Sequence, residues 1–302
     1  MVKFIDAKDI AFTSSAKVGA FRGAVEDLAN ANYHELKSYW SSTDLKYMHA
    51  NSPTHFKALY LDQTIKRKEP NSAMILGSLV HCLVLKPEDF PNEFFVLPEL
   101  NLRTNDGKKA MADLMAENVG KYPVTEEMLL EANAMRASIF NNKEASIMLE
   151  AIRKEVSFFW ECPYSKLLMR AKIDACSSKC MVELKTTHDA SPEGFARHAY
   201  NMNYDLSLTH YKQGIARIMD VEPEAFFIVV ESAPPYVCQV YKVGESFKET
   251  GHVKWISAVD RMTNGLKLNK WPGYTSDILG EVSTIEAPPW AINKQMRGDN
   301  GI

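Results

Sequence analysis

Residues 170–187 open with Arg170-Ala-Lys-Ile-Asp174-Ala, pass through a short turn, and continue as Met181-Val-Glu183-Leu-Lys185-Thr-Thr187. Two apolar segments bounded by a turn predict a β-hairpin, with strands at 167–176 and 180–187. Side chains alternate across a strand with period two, so Glu183 and Lys185 project from one face, and the hairpin can bring Asp174 beside them. Two acids and a lysine then share a pocket. Hard carboxylate oxygens suit magnesium or manganese, and an ammonium beside them can position an attacking water; the chemistry implied is metal-assisted hydrolysis of a phosphodiester. Acids and lysines also decorate the solvent face of many strands, so the surroundings have to decide between the two readings.

Working outward, the apolar run from Ser72 to Leu85 has helical length and carries Gly77, Ser78 and His81. Gly77 and His81 lie one turn apart on one face. A glycine there lets a neighbouring backbone approach the helix close to the histidine. Residues 87–108 hold Pro87, Pro91, Pro98 and Asn105-Asp106-Gly107 and are expected to form an irregular connection. Helices are expected at about 108–118 and 125–151. Further strands follow at 155–162, 225–231 and 237–243, with a helical interval at about 192–219 and an amphipathic helix at about 245–268. Ser42 or Thr43 is the expected N-cap of a helix running through Lys46, Tyr47 and Met48.

Composition bounds the class. A chain of 302 residues that is 46% hydrophobic can bury a full core, and a net charge of −3 argues against a nonspecific nucleic-acid coat. The five cysteines, Cys82, Cys162, Cys176, Cys180 and Cys238, form no CxxC pair and are expected to be reduced thiols of a cytosolic protein rather than a metal cluster. Neither a signal core nor a membrane-length apolar run is seen, and a soluble cytoplasmic protein is expected.

The order helix, three strands, helix, two strands resembles the core of the PD-(D/E)XK nuclease superfamily. Gly77-Ser78-Leu79-Val80-His81 resembles the GxxxH element of its RecB-like branch. Glu155-Val-Ser-Phe-Phe-Trp160, Lys172-Ile-Asp174-Ala, Glu183-Leu-Lys185-Thr-Thr187 and Tyr211-Lys-Gln213 follow in that family's order. Within the branch, the chain most resembles the RecE (exonuclease VIII) catalytic-domain family. That likeness rests also on Tyr33-His34, on Ser41 to Lys46, on Leu102-Arg103-Thr104-Asn105-Asp106-Gly107-Lys108, on Trp271-Pro272 and on Pro289-Trp290-Ala291. Two departures stand out: Glu183 where RecE has aspartate, and Arg217 where many relatives have tyrosine.

The resemblance implies an α/β fold, a central mixed β-sheet flanked by helices with a helical N-terminal elaboration. The whole of 1–302 would be a single nuclease domain: elaboration at 1–70, catalytic core at 71–245, C-terminal helix and tail at 246–302. It further implies that Asp174, Glu183, His81 and the Leu184 carbonyl hold Mg²⁺, for which Mn²⁺ can substitute, with Glu155 near a second ion. Lys185 and Gln213 would act on the water and the scissile phosphate. Tyr204, Tyr211, Lys212 and Arg217 are expected to contact DNA. The implied activity is 5′ to 3′ exonuclease action on double-stranded DNA with free ends, in a bacterial or phage-infected cell. It would leave 3′ overhangs for recombination, performed by a homotetrameric ring beside a RecT-like single-strand annealing protein. The alternatives are a RecB-like endonuclease or single-strand nuclease and, from another class, a non-catalytic DNA-binding recombination scaffold.

Overall fold

A computed structural model describes residues 4–7, 21–150, 152–274, 285–289 and 291–292. Its elements, in chain order, are β1 (Phe4–Asp6), β2 (Gly23–Glu26), α1 (Asn30–Glu35), α2 (Ser42–Ala50), α3 (Pro53–Tyr60), α4 (Ser72–Leu85), α5 (Phe90–Glu93), β3 (Phe94–Val96), α6 (Asn105–Glu117), β4 (Tyr122–Val124), α7 (Glu126–Asn141), α8 (Lys143–Glu150), β5 (Arg153–Glu161), β6 (Leu168–Cys176), β7 (Cys180–Thr187), α9 (Pro192–Asn201), α10 (Tyr204–Met219), β8 (Glu224–Glu231), β9 (Cys238–Lys242) and α11 (Glu245–Leu268). Seven strands form one mixed sheet in the order β1-β2-β5-β6-β7-β8-β9, and β3 pairs with β4 in a small second sheet.

Both faces of the large sheet are covered, which is why β8 reads as a continuous apolar run rather than an alternating one. Ala225, Phe227 and Val229 enter the core shared with α2, α3, α9, α10 and α11, while Ile228 and Val230 enter the core shared with α4, α7 and α8. The helices thus form two layers around a central sheet, as the α/β expectation required.

Several local expectations change. The N-cap of α2 is Ser41, which forms a capping box with Asp44, so Ser42 and Thr43 already lie inside the helix. The helical interval at 192–219 is two helices, broken where Asn203 adopts a left-handed conformation (φ 53°). Likewise 125–151 divides at Asn142, whose amide nitrogen donates to the Cys238 carbonyl at 3.1 Å. The connection at 87–108 contains α5, β3 and the start of α6, and Asn105-Asp106-Gly107 forms a helical first turn capped by Thr104. The segment before residue 70 adds two strands to the sheet as well as helices. Strands of three or four residues carry too little periodicity to be recognised alone. Trp290 of the Pro289-Trp290-Ala291 motif lies outside the described residues, as does residue 151 at the end of the expected helix.

Helix α10 is fixed from two sides. A Cβ added to Gly251 of α11 would stand 2.2 Å from the Asp205 carbonyl oxygen, so only glycine allows the two helices to touch there. Lys254 of α11 pairs with Asp205 at 2.8 Å, and His210 lies fully buried between the Trp255 indole N–H (3.2 Å) and the Arg170 carbonyl of β6 (2.9 Å). Burial holds the His210 imidazole neutral, down at about 4, as this pairing of one donated and one accepted bond requires. The orientation of α10 over β6 and β7 follows from these ties.

A candidate metal centre in a forked sheet

Strand β5 pairs with β6 along nearly its whole length, and β7 pairs with β8 over all eight residues. Between β6 and β7 the ladder holds only Ala175 to Val182 and Cys176 to Met181. Beyond these two pairs the strands no longer hydrogen-bond to each other, and the sheet forks.

Asp174 sits at the crotch of this fork. Backbone groups of β7 facing β6 lose their ladder partners there and must find others. One Asp174 carboxylate oxygen accepts the Leu184 N–H at 2.8 Å, and the Leu184 carbonyl accepts from the Lys185 ammonium at 2.9 Å. Lys185 also reaches Glu183 at 2.8 Å and Asp174 at 3.8 Å, and His81 Nδ1 lies 3.6 Å from Asp174. Asp174, Glu183, Lys185, the Leu184 carbonyl and His81 are therefore gathered at one place. Gly77, one turn before His81, lets α4 settle on β7: a Cβ there would meet the Thr186 hydroxyl at 3.3 Å.

Glu155 lies on the far side of Asp174. The β5–β6 pairing steps from Lys154–Ala175 to Val156–Ile173, skipping Glu155 and Asp174, and Glu155 takes a left-handed φ of 53°. A non-glycine residue in that region stores about 1 kcal/mol or more and commonly marks a functional position. Lys172 holds its carboxylate at 3.6 Å and is itself anchored to the Leu28 carbonyl and the Asn30 side chain.

The other expected residues divide. Tyr204 and Tyr211 face the acids: the Tyr204 ring lies under the Lys185 ammonium at 5.4 Å, and the Tyr211 hydroxyl accepts from Ser42 at 3.2 Å. Tyr211 is held protonated by burial and by the Glu183 charge. Both tyrosines form one wall of the site. Gln213 does not join them. With Lys212 it lines a groove between α10 and α11, beside Lys248 and His252, because two residues along a helix turn a side chain about 200° away from Tyr211. Arg217 is exposed beyond it, within electrostatic reach of Glu161 at the opposite end of β5 from Glu155.

Lys46 was not among the expected site residues. It projects from α2 to 5.5 Å from the Tyr204 ring, the ring that Lys185 also approaches. Burial and then the Lys185 charge pull its ammonium down to about 8. The available signal was the Ser42-x-x-x-Lys46 spacing, one helical turn, within a stretch already marked by resemblance.

The electrostatics separate the two acids. Burial pushes Asp174 up, but His81, Lys185 and the Leu184 N–H outweigh it and hold the carboxyl at about 2. Glu183 goes the other way, raised to about 7 by burial and by the Asp174 charge against the pull of Lys185. Burial lowers His81, yet the Asp174 carboxylate more than compensates and raises it. Glu155 is raised by burial and by Asp174.

These residues suit a hard divalent cation. Glu183 Oε1 is buried without a hydrogen-bond partner, a cost of about 1–3 kcal/mol that a ligand would relieve, and carboxylate and carbonyl oxygens dominate the donors. Among the described residues, no three His, Cys, Asp or Glu side chains are already drawn into a ligating group. The Lys185 ammonium stands between the two carboxylates instead.

Cation binding should follow the Glu183 proton. In the metal-free protein, a carboxyl raised above its ordinary 4.5 favours the fold when protonated; that contribution is full below 4.5 and is lost as pH rises through about 7. Asp174 has the opposite sign, stabilising above its ordinary 3.8 and failing only as pH falls through about 2. Mg²⁺ should therefore raise the melting temperature more at pH 8 than at pH 6. Its affinity by calorimetry should rise about tenfold per pH unit below 7, then level off. A flat affinity between pH 5 and 9 would mean that Glu183 is not a ligand.

Comparison with known proteins agrees with this architecture. Residues 41–280 match the profile of a family described as "PDDEXK-like domain of unknown function (DUF3799)". None of the curated proteins matches significantly. A solved structure from Eubacterium rectale with a provisional exonuclease assignment superposes with a TM-score of 0.57 at 14% identity, covering 91% of this chain and 99% of that one. This likeness concerns the fold alone. A phage-related exonuclease from Haemophilus somnus 129PT gives a TM-score of 0.28 at 11% identity, over 55% of this chain and 85% of that one, too low to bear on the argument. Among the described residues, no helix is long and apolar enough to cross a membrane.

Proposed function

Because the chain belongs to the PDDEXK-like DUF3799 family over residues 41–280, we propose that its forked-sheet site hydrolyses DNA phosphodiester bonds with the help of Mg²⁺. The observation that carries the reading is the convergence of Asp174, Glu183 and Lys185 where β6 and β7 part, with one Glu183 oxygen left unpartnered. In finer terms, the protein is a 5′ to 3′ double-strand exonuclease of the RecE type that leaves 3′ overhangs for recombination by single-strand annealing. Support for the finer terms comes from the motif resemblance from Gly77 to Tyr211. The same reading extends to a homotetrameric ring around the duplex and a RecT-like annealing partner.

Asp174, Glu183, the Leu184 carbonyl and His81 would hold the cation, with Glu155 adjacent. When bound, such an ion polarises the phosphate and makes water more acidic. Asp174 is ionised at every physiological pH and offers full charge. Glu183, raised in the metal-free protein by burial and by the Asp174 charge, would give up its proton on binding the cation and add a second negative charge to the site. Lys185 stays charged, because Glu183 and Asp174 together outweigh its burial, and it serves as donor to the attacking water and as counter-charge to the pentacovalent phosphate. Tyr204 and Tyr211 exclude bulk water on the α10 side, which strengthens each of these interactions.

The test is a titration of Mg²⁺ against one duplex in linear and covalently closed circular form. Loss of the linear form alone is expected. Cutting of both would mean an endonuclease, and loss of neither would mean a DNA-binding scaffold. Light scattering should give the mass of a tetramer.

A further inference from the structure

Of the two ammonium groups beside the Tyr204 ring, only Lys185 is occupied. It pairs with one Glu183 oxygen, with Asp174 and with the Leu184 carbonyl. Lys46, partly buried, has no carboxylate within ion-pair distance among the described residues. With nitrogens 5.5 and 5.4 Å from one ring centroid, the two cations are no more than about 11 Å apart. A withdrawn ammonium beside a second ammonium is unfavourable in the free protein. It becomes favourable once an anion enters between them. Aromatic quadrupole attraction to Tyr204 orients the Lys46 nitrogen but leaves its protons available to such an anion.

Chain architecture fits the same purpose. Ser42 and Lys46 are one turn apart on α2, so a single helix face brings the Ser42 hydroxyl to Tyr211 and the Lys46 ammonium to Tyr204. Helix α2 is itself held rigidly, with Leu45 and Met48 fully buried in the core beneath α10 and α11. Its capping box fixes the first turn. A long, flexible lysine carried on a clamped helix is a preorganised donor, whereas the same lysine on a mobile loop would have to be ordered by the substrate.

We infer that Lys46 is a second catalytic lysine, donating to a non-bridging oxygen of the scissile phosphate opposite Lys185. This rests on the nuclease reading of the site. In the free protein the Lys46 proton is only loosely held, and the arriving phosphate stabilises it. The role is electrostatic, stabilising charge that grows as the phosphate becomes pentacovalent, so its loss should fall on turnover more than on duplex binding.

The experiment compares wild type, Lys46→Met and Lys46→Arg in single-turnover digestion of a linear duplex at saturating enzyme, alongside duplex affinity in Ca²⁺. Lys46→Met should lower the rate by about tenfold to a hundredfold with affinity changed less than about threefold, and Lys46→Arg should recover part of the rate. A Lys46→Met rate equal to wild type, or a loss confined to affinity, overturns the role. Independently of any variant, acylation of wild-type lysines at pH 8, read residue by residue by mass spectrometry, should show Lys46 protected by duplex in Ca²⁺ while exposed Lys143 on α8 is not. Unprotected Lys46 overturns the inference even if Lys46→Met fails to fold. A wild-type protein that cuts no duplex, linear or circular, fails at the nuclease reading and takes the Lys46 role with it.

Discussion

Asp174→Asn should abolish hydrolysis of linear duplex, by roughly a thousandfold or more, while the protein folds and still binds DNA in Ca²⁺. The amide oxygen can go on accepting the Leu184 N–H that Asp174 now receives at 2.8 Å, so the fork keeps its shape. What disappears is the one carboxylate held ionised at about 2, and with it several kcal/mol of cation-dependent stabilisation at the phosphate. Alanine is the poorer probe here, because it would strand that buried N–H at a cost of about 1–3 kcal/mol. Glu183→Gln should be equally inactive but should melt higher than wild type at pH 8 without metal, since the ionised Glu183 beside Asp174 is what weakens the apo fold there. Near wild-type digestion by either variant would mean that the fork is not the site of chemistry.

Lys185→Met should cost turnover about a hundredfold or more, the scale for losing a donor aimed at developing charge. Cation affinity should not weaken, because the variant removes a positive charge lying 2.8 Å from Glu183 and 3.8 Å from Asp174. His81→Ala should behave in the opposite way. It removes the imidazole that stands 3.6 Å from Asp174 and would ligate the cation, so it should shift the metal-dependence curve and be partly rescued by Mn²⁺. Rates over a range of Mg²⁺ and Mn²⁺ concentrations separate the two. A Lys185→Met enzyme within about threefold of wild type at saturating metal would assign the lysine to structure alone, as the balancing charge of the two acids.

The candidate site's core was legible because its signals are local. Period-two alternation puts Glu183 and Lys185 on one face, a short turn returns the chain past Asp174, and a one-turn spacing joins Gly77 to His81; each follows from backbone geometry within a few residues. The same local logic failed along α10. There Tyr204, Tyr211, Lys212, Gln213 and Arg217 were all candidates, and only the docking of the helix decides which of them meet the acids. The contacts of Gly251, Lys254 and His210 turn Tyr204 and Tyr211 inward and leave Gln213 and Lys212 on the α11 side.

By itself, then, the sequence determined the α/β class, the strands that carry the acids and the pairing of two carboxylates with one lysine, since apolar periodicity and turn chemistry act over short range. Tertiary structure alone decided that β6 and β7 would part after two paired residues, that Glu155 would twist out of its ladder opposite Asp174, and that α2 would bring Lys46 and Ser42 to a site built more than a hundred residues later in the chain. These outcomes depend on how whole layers settle against one another. Burial is indifferent to separation along the chain, so no local pattern announces which distant polar side chain the closing core will carry in with it.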